Sequence, residues 1–312
     1  MEILLYTIVF LLLLVVSNVT NRFLPQLPLP LVQIVLGISL GFLLPQGKFH
    51  LDTELFLALV IGPLLFREAE ESNITSILKH WRIILYLIFP VIFISTVGLG
   101  YLAHLLWAAL PLAACVAVGA ALGPTDLVAF ASLSERFSFP KRVENILKGE
   151  GLLNDASGLV AFRVALLAWI TGSFSLGKAS ISLVLSIIGG FAAGMASAAL
   201  NRWLHKLLMS AQVSDIASEL LLELSLPLVT FFLAEEIHVS GIIAVVVAGI
   251  FKASRFKRIT LLEAQVDSVT ETIWNTVNFM LNGSVFIILG MELEMIAEPI
   301  LKSPIYDNLL LL

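Results

Sequence analysis

Charge is scarce in this chain. Only 13% of its 312 residues are charged and 59% are hydrophobic, where an average soluble domain has about 25% charged residues. That balance excludes a mainly soluble protein, and no nucleic-acid partner is expected. There is one cysteine, Cys115, inside an apolar run. A single thiol builds neither a disulfide framework nor a cysteine metal cluster, so Cys115 reads as a small buried apolar side chain. The five histidines, His50, His80, His104, His205 and His238, fall mostly at helix ends or in loops without metal-ligand spacing. No linker, low-complexity tract or soluble domain interrupts the hydrophobic pattern. The N-terminal "MEILLYTIVFLLLLVVSNV" carries Glu2 in place of a basic region and has no small-residue cleavage site. It reads as a first transmembrane helix, not a signal peptide.

What is abundant is apolar sequence in long windows. A helix needs about 20 residues to cross ~30 Å of hydrocarbon. Windows near that length cover 2–20, 29–45, 54–69, 82–107, 112–134, 144–171, 179–207, 216–236, 239–252 and 272–296. The expectation is an all-α, polytopic membrane bundle of about ten spans, the ninth short and tilted or partly re-entrant. Basic residues then orient it. Alternate loops hold 14 of the 18 Lys and Arg residues, from Arg22 to the cluster Lys252, Arg255, Lys257 and Arg258; the opposite loops hold only Lys48, Lys178 and Lys302. By the positive-inside rule the N-terminus is outside and the protein is a multi-pass component of the cell (inner) membrane.

Two carboxylates stand where hydrocarbon is expected. The fifth span, "PLAACVAVGAALGPTDLVAFASLSERF", is interrupted by Gly123 and Pro124. Proline removes a backbone donor, so a discontinuous helix is expected near 123–126, and broken helices at membrane depth line cavities or ion sites. Thr125 and Asp126 follow, adding a hydroxyl and a carboxylate to freed carbonyls; such oxygen ligands suit a hard cation such as Na+. Asp155 lies in "GEGLLNDASG" of the sixth span. Counted from the cytoplasmic ends of their spans, Asp126 and Asp155 both reach ~14–17 Å deep, near the bilayer centre. Gly151, Asp155 and Gly158 share one helix face, where small residues allow close approach. Ionisable groups at that depth are costly and usually functional.

"GPTDLVAF" and "KGEGLLNDASGLVAFRVAL" closely resemble the two signature helices of bacterial sodium/proton exchangers, the cation/proton antiporters with an Asn-Asp pair. "IGPLLFREAE", "LAEEIHVSGIIAVVVAGIF" and "WNTVNFMLNGSVFIILGMEL" resemble other segments of that family in the expected order. The resemblance implies an inverted-repeat antiporter fold and a single transmembrane transport domain over 1–312. It implies that Asp155 binds either Na+ or a proton, that Asn154 orients the site, that Thr125 supplies an oxygen ligand to Na+, and that Asp126 sits in or beside the site. Glu68 either completes the site or is a solvated acid like Glu70 and Glu71. Glu150 has a structural role, pairing with an arginine in the family's second half. That arginine and the second broken helix are expected to lie beyond Leu312, leaving the second repeat incomplete and the chain truncated. Many members have serine where this chain has Gly151, so one hydroxyl ligand is missing. Arg163 is expected to snorkel to the outer interface.

The resulting expectation is a secondary active antiporter, not an enzyme. It would exchange Na+, Li+ or K+ for H+ with no cofactor, in the lipid bilayer, as a homodimer by resemblance. With Asn154 in place of a second acid, exchange should be electroneutral. One alternative is a truncated, inactive relative. Another is an intramembrane aspartyl protease, which also sets two aspartates on adjacent spans, but its Gly-x-Gly-Asp motif is absent from "GPTD" and "LLND".

Overall fold

The computed structural model describes residues 2–24, 26–43, 52–72, 79–80, 82–83, 86, 91–107, 110–123, 139–171, 176–211, 215–253 and 261–301. The described residues are helical without a strand: α1 (Glu2–Phe23), α2 (Leu29–Leu43), α3 (Thr53–Phe56) running through a π-helical turn (Leu57–Ile61) into α4 (Gly62–Glu71), then α5 (Ile92–Leu106), α6 (Leu112–Leu122), α7 (Lys141–Thr171), α8 (Leu176–Ser210), α9 (Ile216–Glu236), α10 (Gly241–Ala253) and α11 (Leu261–Leu301). The described part of each of the ten apolar windows is mainly helical. The boundaries differ because helices run past the hydrocarbon into polar sequence: α7 starts at Lys141 and α11 at Leu261. α10 is one regular helix, buried almost throughout from Gly241 to Gly249. Among the described residues, Ile216–Glu236 and Ser268–Leu293 are long and apolar enough to cross a membrane, and six further apolar helices are shorter.

The chain divides into two compact units, Met1–Leu64 with Asp267–Leu312, and Leu65–Val266. In the first, Leu14, Leu40, Ile287 and Met291 form the core. Polar groups are tucked inside it: Ser17 and Gln33 are buried, and Gln33 Nε2 donates to Ser17 Oγ at 3.4 Å. Apolar side chains such as Val15, Val35 and Leu43 face outward. This arrangement suits a lipid solvent, in which buried polar groups bind neighbouring helices and apolar ones meet acyl chains.

Close backbone approach holds α2 to α11. A Cβ at Gly290 would lie 2.2 Å from the Ile34 carbonyl oxygen and 2.9 Å from Ile38 N. Gly290→Ala should therefore force the helices apart at a cost of about 1–3 kcal/mol, lowering the thermal midpoint of detergent-solubilised protein. Gly98→Ala is the control, since a Cβ there meets nothing within 4 Å.

In the second unit α5 packs on α6 and α6 on α7, while α8, α9 and α10 pack on one another. A Cβ at Gly119 would fall 2.2 Å from the Thr96 carbonyl, so α6 lies directly against the α5 backbone. α9 is capped by Asp215, whose Oδ1 accepts the Ser218 backbone N–H at 2.9 Å. Hydrogen bonds from the Ser218 side chain and backbone hold the Asp215 carboxyl below its ordinary range.

Candidate functional site

α7 is the helix on which the candidate site is built. Its first turn is polar, with Lys141 and Arg142 exposed, and burial then begins at Gly149 and Glu150. Glu150 is 8% exposed and Asn154 1%. They lie one turn apart, and Asn154 Nδ2 donates to Glu150 Oε1 at 2.9 Å. A carboxylate and an amide four residues apart share a helix face, so each meets part of the other's hydrogen-bonding need in an interior that penalises unmet polar groups. Gly151 and Gly158 are buried as well. Asp155 occupies the next backbone position after Asn154 within α7; its side chain lies outside the described residues.

On the partner helix, α6 ends at Leu122 and Gly123 forms its C-cap. Pro124, Thr125 and Asp126 lie outside the described residues. Glu68 is on α4, half-buried, with its Oε2 shielded from solvent. Its neighbour Glu70 is not the solvated acid the sequence suggests. Glu70 Oε1 is 2.9 Å from Lys252 Nζ and Glu70 Oε2 is 3.0 Å from Arg67 Nη1. Glu71 is the exposed one, held by Arg67 Nε at 2.7 Å.

Two further polar contacts escaped the sequence reading. Lys252, near the end of α10, also reaches Glu223 Oε1 on α9 at 2.6 Å and lies over the Phe66 ring at 5.6 Å. One ammonium thus ties α4, α9 and α10. His205 Nδ1 on α8 shares a hydrogen bond with Glu219 Oε2 on α9. Arg163 is a correction: it does not simply snorkel, because its Nη1 lies 3.0 Å from Glu235 Oε1 on α9. Among the described residues no cluster of three or more His, Cys, Asp or Glu could hold a metal ion.

Over 310 residues the chain is 39% identical to the sodium, potassium, lithium and rubidium/H(+) antiporter of Bacillus subtilis (strain 168), covering 99% of this chain and 46% of that protein. The antiporter of the same description from Bacillus pumilus (strain SAFR-032) is 38% identical over the same shares. The chain spans about half the length of these curated relatives. In structure it matches the sodium proton antiporter MjNhaP1 of Methanocaldococcus jannaschii with a TM-score of 0.71 at 17% identity, over 93% of this chain and 71% of that one. That likeness establishes the antiporter fold for the bundle. The model of the transmembrane sodium/hydrogen exchanger family matches residues 7–306, and with so much of its length matched the chain belongs to that family.

Proposed function

We propose that this chain forms a transmembrane transport domain exchanging monovalent alkali cations for protons. The observation that carries the reading is α7: in a chain of a transmembrane exchanger family it buries Glu150 and Asn154, hydrogen-bonded one turn apart, immediately before Asp155. A carboxylate at membrane depth is stable only when neutralised. On this reading Asp155 takes a proton or a cation but not both, and competition for it couples the two fluxes. Asn154 is drawn back toward Glu150, so it stiffens the turn that presents Asp155. Glu150 is structural. Thr125 and Asp126, which follow α6 in sequence, supply oxygen, and Glu68 is a candidate for a further oxygen. Gly123, Pro124 and Gly151 give the backbone freedom and close approach that the site needs. Na+ is the reference cargo; the printed breadth of the Bacillus relatives supports testing Li+, K+ and Rb+ beside it. The basic loops support a cytoplasmic-membrane protein with its N-terminus outside, and a second copy is the partner that the family resemblance implies.

The test is proton movement driven by an imposed sodium gradient in proteoliposomes, read with an entrapped pH dye. Flux that depends on sodium supports antiport. Its absence leaves an inactive relative, and peptide cleavage without flux points to the protease alternative.

Stoichiometry gives a separate prediction. With Asn154 neutral, one carboxylate titrates and one charge is exchanged for one, so wild-type rates should ignore an imposed membrane potential. Asn154→Asp places a like charge beside Asp155; two such neighbours do not ionise independently. The variant should become potential-sensitive, as valinomycin-clamped vesicles would report. A wild type that already responds to potential contradicts the charge argument.

A further inference from the structure

α7 packs along α6, but its contacts with α8 and α10 are sparse, whereas α8, α9 and α10 pack closely together. Among the described residues a seam therefore runs between the helix group α5–α6–α7 and the group α8–α9–α10. Arg163 reaches across it. Its Nη1 donates to Glu235 Oε1 at 3.0 Å, and the same oxygen accepts the Gly241 backbone N–H at 3.1 Å. The helix carrying Asn154 and Asp155 is thus moored where the chain turns from α9 into α10. That corner is well anchored to its own group. His238 takes a φ of 59°, a left-handed conformation that closes the turn. Val239 N–H returns to the Ala234 carbonyl at 3.0 Å, and Ser240 N–H reaches the Ser186 carbonyl on α8 at 3.3 Å.

The mooring itself is lightly built. The Arg163 and Glu235 side chains are 33% and 34% exposed, against 12% and 15% for Lys252 and Glu223. A half-open ion pair is screened and readily broken and remade, whereas a closely buried one is costly to open. Lys252 has the construction of a permanent tie within its unit. Arg163 has that of a contact that opens.

We propose that Arg163 and Glu235 form a latch across this seam, on the face away from the basic loops. Closed, it holds α7 against the α9–α10 corner and shuts the ion site from that outer face. Open, it lets α7 shift and admit ions there. The inference rests on the antiport reading, since alternating access requires one helix group to move against another. Arg163 and Glu235 are positioning residues.

The test measures sodium KM separately on the two faces of oriented proteoliposomes. Glu235→Gln removes the charge yet keeps an amide oxygen for Gly241 N–H. Losing the latch enlarges the outward-open fraction, and apparent affinity follows the competent fraction. The outer KM should fall and the inner KM rise, by about fivefold each. A general packing defect lowers the maximal rate without splitting the two KM values in opposite directions. The swap Arg163→Glu with Glu235→Arg restores opposite charges across the seam, though not the acceptor for Gly241 N–H, and should bring both KM values closer to wild type than either single reversal does. Unmoved KM values, movement in the same direction, or a swap no better than its single variants overturns the latch. Absence of sodium-driven flux from the wild type overturns the antiport reading and the latch with it; wild-type flux with unsplit KM values in Glu235→Gln overturns the latch alone.

Discussion

Asp155→Asn is expected to reduce sodium-driven proton flux to the level of protein-free vesicles, while the protein still inserts and purifies in wild-type yield. The substitution nearly preserves side-chain volume and removes the one property that competition requires, a group that is neutral with a proton and anionic with a cation. The surrounding helix should tolerate it. Asn154 already places an amide on α7, hydrogen-bonded to Glu150, and Gly151 and Gly158, on the face that helical spacing gives Asp155, carry no side chain to crowd it. The informative measurement is therefore flux normalised to folded protein in the bilayer, with the thermal midpoint recorded beside it. Flux retained in Asp155→Asn would move the exchange site to Asp126 or Glu68, and the same assay on Asp126→Asn and Glu68→Gln would then separate those two.

The second large effect concerns stability. Lys252 lies between two partly buried acids, 2.9 Å from Glu70 Oε1 and 2.6 Å from Glu223 Oε1. Lys252→Met retains most of the side chain's bulk and its place over Phe66, but it strips both carboxylates of their shared ammonium. Removing one partner of a buried ion pair costs about 3–5 kcal/mol, because the remaining charge stays desolvated. Glu70 keeps Arg67 at 3.0 Å, whereas Glu223 loses its contact with Lys252. Neutralising that acid as well, in Lys252→Met with Glu223→Gln, should recover much of the loss. The double variant is expected to melt closer to wild type than Lys252→Met does. A Lys252→Met protein as stable as wild type would show that the three-helix tie contributes nothing measurable.

The hydrophobic windows, the loops rich in Lys and Arg and the "GPTD" and "LLNDAS" stretches were sufficient to name an all-α membrane bundle of this family. Each is local. Spanning hydrocarbon needs a minimum length of continuous apolar helix, and loop charge sets orientation through each loop separately. The Glu150–Asn154 hydrogen bond is local too, since four residues make one helical turn. It was legible in the four-residue spacing of Glu150 and Asn154. Tertiary structure alone decided the partners of Arg163, Glu70 and Lys252. A charged side chain in an apolar chain carries no mark of whether it snorkels, faces a cavity or meets an opposite charge; that depends on which helix stands beside it. Arg163 and Glu235 are 72 residues apart in sequence, and Lys252 meets acids from two other helices. Neighbours at such separations are chosen by the sum of packing over whole helices, including the contact of Gly119 with the α5 backbone, and no short window of sequence contains that sum.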